Sequence, residues 1–527
     1  MKRLLIIFTT ILLASCQSKL DEQELMQQNL STEETLKAIL SEEYKETLGI
    51  DDEGRNLLYS FYEKRRFKPL WTKKKSINAT GEELVKLLKH PVRFGMSDKR
   101  FDLNWNDDQP IQNEVVIVCG LIRSYNDLRY GMLDSTMTHL KPVSYVALKS
   151  LDTLLDFSNN NYAQKIISWG PSDSTYQFLA NGLYRFVQNN PIDEKVRELK
   201  TIKEDTAAAI AGTKEILISK GYLGTEEATD SATFVTALKK FQTDHGCNPD
   251  GVIGTNTVQI LTETNLHKAQ RIALAMEKQR RKKAYPNRYI AINIPEYMLR
   301  LRNEDTLCIE TRIVVGKYEN QTPELTSGMH SIVVYPYWNV PYSIASKEIL
   351  PAAQRNPNYF EKNNMVLLQK GDTINPHKVK WKKIKENSFP YRVVQQPGYK
   401  NSLGILKFDF YNKYDVYVHD TPSKGLFNTT ARSYSHGCMR TENPVDLAKT
   451  ILGLDENVVI ADSLDTLISR TGVNHPIKLK KRLPVYVEYN SVIVNNGETK
   501  ILRDIYLRDD NYLKVMFPDK GNMNDAN

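Results

Sequence analysis

The chain has 527 residues, enough for about three domains at ~150 residues each, and its 41% hydrophobic and 25% charged residues are ordinary for globular protein. Its 25 Gly and 22 Pro exclude collagen-like and disordered classes, and five Cys are too few for a disulfide scaffold. The excess of 71 Lys+Arg over 63 Asp+Glu gives +8, a mild surplus that reads as solvated surface, so nucleic acid is not an expected partner.

Met1-Lys2-Arg3 is a short basic start, and Leu4 to Leu13 is apolar except for two Thr. Ten residues rise about 15 Å as a helix, half of a bilayer core, so residues 1–15 read as a secretory signal and not as a span. The segment closes on Leu13-Ala14-Ser15-Cys16, which resembles a bacterial lipobox, whose Cys is acylated and becomes the new N-terminus. The resemblance implies lipidation of Cys16, membrane attachment through that N-terminal lipid, and an extracytoplasmic protein anchored in the cell envelope and facing the periplasm. Residues 16–35 read as a polar tether.

Residues 36–197 carry helical periodicity, as in Leu84, Leu87 and Leu88, and no motif for chemistry. They read as a scaffold. In residues 198–264, Ala207 to Lys220 suits a helix with Gly221 as its C-cap, and Phe234, Ala237, Leu238 and Phe241 make one apolar helical face. Pro249-Asp250-Gly251 is a turn signal, and Thr255 is a candidate N-cap for a further helix. The stretch Phe241 to Leu261 resembles the three-helix peptidoglycan-binding domain, with Cys247 where that family usually has Leu. Residues 265–286 read as a linker helix whose basic end, Lys278 to Lys283, reads as a solvated face.

From Tyr289 the period changes. Residues 290–294, 311–315 and 331–335 are β-branched and strand-like, and Leu406 to Phe410 with Val416 to His419 suggests a hairpin. Residues 343–386 turn helical and polar and read as an insertion. The stretch from Pro484 to Asp509 is again strand-rich. Among the cysteines, Cys119, Cys247 and Cys308 read as buried bystanders.

Fifteen residues separate His419 from Ser435-His436-Gly437-Cys438-Met439-Arg440. A Cys that attacks an acyl group needs a base to make its thiolate, donors for the oxyanion, and a constrained position. His419 at a strand end supplies the first, and Gly437 permits close backbone approach, so the N–H groups of Gly437 and Cys438 are candidate oxyanion donors. Asn443-Pro444 reads as N-cap and first residue of a helix whose positive end would favour a thiolate. A metal site on His419, His436 and Cys438 would lack a fourth ligand.

The spacing from His419 through Ser435, His436, Gly437, Cys438, Met439 and Arg440 resembles the L,D-transpeptidase family with the YkuD-type catalytic domain, in its large periplasmic branch. Gln321-Thr322-Pro323, Trp338-Asn339-Val340-Pro341 and Asn401-Ser402-Leu403-Gly404 add to the likeness. The resemblance implies Cys438 as nucleophile and His419 as general base, then acid. It implies His436 orienting the site or helping to line the oxyanion pocket, Ser435 as a hydrogen-bonding support, and Arg440 bracing the loop or touching a substrate carboxylate. The implied reaction joins two peptidoglycan stem peptides 3→3 through a thioester with release of D-Ala, with no cofactor and no metal. An L,D-carboxypeptidase or cysteine peptidase would use the same residues with water as acceptor. A non-enzymatic wall tether would have no need of Cys438.

The expected architecture is multidomain α+β. It comprises a helical N-terminal scaffold, a three-helix peptidoglycan-binding unit, a mostly β catalytic domain (287–480) with a helical lid insertion (343–386), and a strand-rich C-terminal extension (481–527).

Overall fold

Apolar residues three and four apart pack the first half of the chain as helices. The computed structural model describes residues 30–41, 52–73, 76–98, 105–141, 151–192, 197–470 and 472–518. Its first long elements are α1 (Thr32–Ile39), α2 (Asp52–Lys64), α3 (Ala79–Leu88), α4 (Pro110–Tyr130) and α5 (Ser174–Asn189). Helix α1 opens with a capping box in which Ser31 and Glu34 satisfy one another's backbone N–H groups. It buries Thr35 and Leu36, so the tether expected to run to residue 35 gives way to packed helix from Thr32. The signal segment and Cys16 lie outside the described residues.

Three helices follow, α6 (Thr206–Ser219), α7 (Ser231–Asp244) and α8 (Thr255–Thr262), around a core of Leu217, Leu238, Phe241 and Ile253. Cys247 fills the Leu position of that core. The buried Gln242 side chain explains the Gln-Asp-Gly-Thr pattern. Its amide nitrogen donates to Asp250 at 2.9 Å, to the Val252 carbonyl at 3.1 Å and to Thr257 at 3.0 Å, and its oxygen accepts from the Gly251 N–H at 2.9 Å. Gly254, not Thr255, occupies the N-cap of α8, without a side-chain bond.

Helix α9 (Asn265–Arg281) is not a linker. Ala269, Ile272, Ala273, Leu274 and Met276 belong to the core of the helical scaffold. Nor is its basic end a solvated face. Glu277, fully buried, pairs with Arg280 at 2.8 Å and Arg281 at 2.9 Å and accepts the N–H groups of Met132 and Leu133. Hydrophobicity alone hides this pattern, because two of the charges are buried as partners.

The β half contains β1 (Arg288–Asn293), β2 (Met298–Asn303), β3 (Thr306–Gly316), β4 (Leu325–Val334), β5 (Leu406–Phe410), β6 (Val418–His419), β7 (Ser433–Ser435), β8 (Met439–Thr441) and β9 (His475–Glu488). The order is β7-β3-β8-β6-β5-β4-β9-β1-β2, and β2 pairs back onto β3. Eight strands therefore close a ring, with β7 beside the end of β3. Ile292, Leu299, Val315, Ile332, Phe408 and Val418 fill it, and closure leaves few free strand edges.

Strand β9 sits between β4 and β1, so the chain beyond residue 480 is in part a central strand and not an extension. The hairpin β10 (Val492–Asn495) and β11 (Glu498–Ile501) and helix α10 (Asp509–Met516) return to the helical core, where Val492, Leu513 and Met516 are buried. The insertion is also broader and more mixed than a helical lid over 343–386. Short helices lie between residues 342 and 362, and the segments 338–339, 365–369, 372–374 and 392–395 form a four-stranded sheet. Phe360, Trp381, Phe389 and Val393 give it a separate core.

Candidate active site

Strands β6 and β8 run parallel, with Val418 opposite Met439 and His419 opposite Arg440. Cys438, the residue just before β8, is thereby set beside Tyr417, the residue just before β6. The Met439 N–H donates to the Tyr417 carbonyl at 3.0 Å, which fixes that register.

The turn from Ser435 to Cys438 is held from two sides. The Ser435 hydroxyl donates to the Cys438 carbonyl and accepts the Gly437 N–H at 3.2 Å. From the other side, the fully buried Thr322 hydroxyl donates to the Gly437 carbonyl at 2.9 Å and accepts the Gly316 N–H at 2.9 Å. The Tyr506 hydroxyl accepts the Thr322 N–H at 3.1 Å and donates to the Gly316 carbonyl at 2.6 Å. Gly437 has φ +112°, a backbone conformation that favours glycine. Because its N–H is already engaged by Ser435, the expected oxyanion role of Gly437 does not hold in this geometry. The Cys438 N–H has no such partner among the described residues.

His419 is buried, and its Nδ1 lies against the Asp420 carbonyl. A carbonyl only accepts, so Nδ1 carries the proton and Nε2 keeps its lone pair in the neutral ring. Burial, with the Arg440 cation beside it, pulls the imidazole down to about 3. Burial likewise raises the Cys438 thiol, against the pull of Tyr417, Lys407 and Arg440. Both shifts favour the neutral forms, imidazole and thiol. The Tyr417 hydroxyl faces Cys438, and burial holds it protonated as a donor. Arg440 has a buried Nε with no hydrogen bond among the described residues.

Asp420 locks this strand end. Its carboxylate accepts the Ile405 N–H at 2.9 Å and pairs with Lys424 at 2.6 Å. Gly404, at φ +63°, passes so near that a Cβ there would sit 2.2 Å from the Asp420 carboxylate.

His436 points elsewhere. Its Nε2 meets the Glu348 carboxylate of the insertion at 2.6 Å, so it ties the insertion to the turn and does not line an oxyanion pocket. The helix Pro444–Leu454 starts only after β8, and Asn443 makes no side-chain cap bond. The thiolate-favouring helix end expected beside Cys438 is thus separated from it by a strand. Sequence reasoning assigned no role to Thr322, Tyr417, Tyr506 or Glu348. Only Thr322 left a signal, in the Gln321-Thr322-Pro323 motif.

Residues 287–486 match the model of the L,D-transpeptidase catalytic domain, and residues 207–261 match the "Putative peptidoglycan binding domain". The barrel half of the chain is thus similar to L,D-transpeptidase catalytic domains. Residues 56–183, which form most of the helical core, match the "Scaffold domain". A "Putative L,D-transpeptidase" of Haemophilus influenzae is 35% identical over 224 residues, 41% of this chain and 44% of that relative. The match thus spans less than half of the relative's length. A solved L,D-transpeptidase from Stackebrandtia nassauensis is 14% identical, covers 57% of this chain and 97% of that one, and has a TM-score of 0.18. Among the described residues, no helix is long and apolar enough to cross a membrane.

Proposed function

We propose that the chain is an L,D-transpeptidase that joins peptidoglycan stem peptides 3→3 through a thioester on Cys438. The observation that carries this reading is the parallel β6–β8 register, which puts Cys438 level with Tyr417 and two positions along the ladder from His419, whose Nδ1–H is tied to the Asp420 carbonyl.

His419 Nε2 takes the Cys438 proton as sulfur attacks the carbonyl of the third residue of a tetrapeptide stem. The oxyanion forms against the Cys438 N–H, with the Tyr417 hydroxyl as a second donor. The C–N bond to D-Ala breaks, the imidazolium returns its proton to the leaving amine, and a thioester remains. An amine of a second stem then attacks the thioester with His419 as base. An amide forms, and Cys438 recovers its thiol. Arg440, with an unfilled Nε, suits a substrate oxygen.

The insertion, clasped to the turn through Glu348 and His436, is suited to act as a lid that keeps water from the thioester. Where water reaches it, the same residues would run an L,D-carboxypeptidase. The lipobox at Cys16 would hold the protein in the envelope beside its wall substrate, and acylation of Cys438 by carbapenems follows from the same chemistry.

The test is incubation with defined tetrapeptide muropeptides and mass analysis. Wild-type protein should yield cross-linked dimers and Cys438→Ala none. Dimers formed by Cys438→Ala would remove the assignment.

A further inference from the structure

A cavity of about 490 Å³ lies between three parts of the chain, within the size range of small-ligand and peptide sites. One wall is the C-terminal end of α7, residues 243–246, from the peptidoglycan-binding unit. The second is the barrel, through Tyr297, Arg312 and Arg432. The third is the β10–β11 hairpin and the residues just after it, through Asn495 and residues 500–503. Asn248 clamps the first wall to the second, accepting the Ala431 N–H at 3.0 Å and donating to the Tyr434 hydroxyl at 2.8 Å.

The charges in this cavity do not balance. It is lined by four cations, Arg312, Arg432, Lys500 and Arg503, and two carboxylates, Asp244 and Glu296. Both carboxylates are engaged elsewhere, Glu296 with Arg300 at 2.5 Å and Asp244 with Lys240 at 3.5 Å. Arg312 is neutralised by Glu442. Arg432 has no carboxylate partner among the described residues; its guanidinium donates only to the carbonyls of Ile313, Thr429 and Tyr297. Arg503 has a buried Nε with no hydrogen bond, although its guanidinium lies against the Cys247 thiol, and the Tyr297 hydroxyl, on a side chain 5% exposed, meets Ser433 and the Arg432 backbone without a well-formed hydrogen bond. Buried donors are satisfied in folded proteins as a rule, so orphans at one cavity point to a missing acceptor.

We infer that this cleft binds a carboxylate of a peptidoglycan stem peptide, gripped by Arg503 with Tyr297 and Arg432. Guanidinium forks match carboxylates in geometry and charge, and the first wall belongs to the matched peptidoglycan-binding domain. The inference rests on the wall-substrate reading above. The barrel wall also connects to the chemistry, since Arg432 directly precedes β7, which runs into the Ser435–Cys438 turn. A strand docked in the cleft would thus be held next to the catalytic loop while another of its stems reacts.

The test uses the full chain and two soluble probes, a disaccharide-tetrapeptide with free carboxylates and the same molecule fully amidated. Binding is measured by titration in a Cys438→Ala background, and carbapenem acylation is measured with Cys438 intact. Arg503→Gln should weaken the free-carboxylate probe about tenfold or more, as loss of a charge-assisted hydrogen bond does. It should leave the amidated probe within about twofold, and acylation unchanged. Arg503→Lys should recover part of the affinity. Unchanged affinity in Arg503→Gln would overturn the inference, and so would an equal loss for both probes. An acylation defect in Arg503→Gln that Arg503→Lys does not restore would mark a structural role and also overturn it. Absence of any acylation in the wild-type chain would instead count against the transpeptidase reading, whatever the probes do.

Discussion

Replacing Thr322 by Val keeps the side chain's shape and removes one hydroxyl. That hydroxyl is the partner of two buried backbone groups, the Gly316 N–H and the Gly437 carbonyl. Each orphaned buried group costs about 1–3 kcal/mol, so the catalytic turn should be destabilised by roughly 2–4 kcal/mol once partial relaxation is allowed. Gly437 adjoins the proposed nucleophile, so the loosened turn should no longer hold Cys438 in place. If one orphan's worth reaches the barrier, about 1–3 kcal/mol, the reaction slows about 5- to 160-fold. The assay is the rate of Cys438 acylation by a carbapenem, followed by intact mass. Thr322→Ser, which keeps the hydroxyl and loses a methyl, should stay within a few-fold of wild type. A Thr322→Val protein acylated at the wild-type rate would refute the reasoning that the Gly437 brace positions the nucleophile.

With His419 held down to about 3 by burial and Arg440, the base stays neutral through mild acid, so acylation at pH 5.5 should retain most of its pH 7 rate. A fall with a midpoint near 6.5 would contradict this. Burial opposes charge on His267, but Asp510 and Glu263 outweigh it and raise the imidazole to about 9. The stability this gives is present in full below the unfolded value of about 6.5 and is lost as pH rises through 9. Thermal melts from pH 6 to 10 should show that loss, and His267→Gln should flatten it. Gly404→Ala places a Cβ where the Asp420 carboxylate sits; muropeptide turnover should fall at least tenfold, and wild-type turnover would show that Asp420 does not fix His419. Glu277→Ala leaves Arg280 buried without its carboxylate and should cost the helical core about 3–5 kcal/mol, read as a lower melting temperature.

Local pattern made much of the molecule legible. Three- and four-residue spacing announced the helices, β-branched runs announced the ring, and His419 with the Ser435–Cys438 turn could be read from one spacing. What stayed hidden is carried by contacts distant in sequence. Thr322 reaches Gly437 across 115 residues and Glu348 reaches His436 across 88, and no local period encodes such pairings. The basic end of α9 misled for a related reason, since only the fold places the buried Glu277 and the carbonyl-lined loops around it. The engaged Gly437 N–H is a detail of turn geometry that the glycine alone does not determine. The insertion hid its sheet because its strands are short and interrupted by polar turns.

The most direct measurement of the central claim is the mass of the protein caught during turnover with a tetrapeptide muropeptide, followed by peptide mapping. Wild-type protein should carry a tripeptide acyl adduct on Cys438, formed much more slowly in His419→Ala. No adduct on Cys438 during dimer formation, or an adduct on another residue, would contradict it.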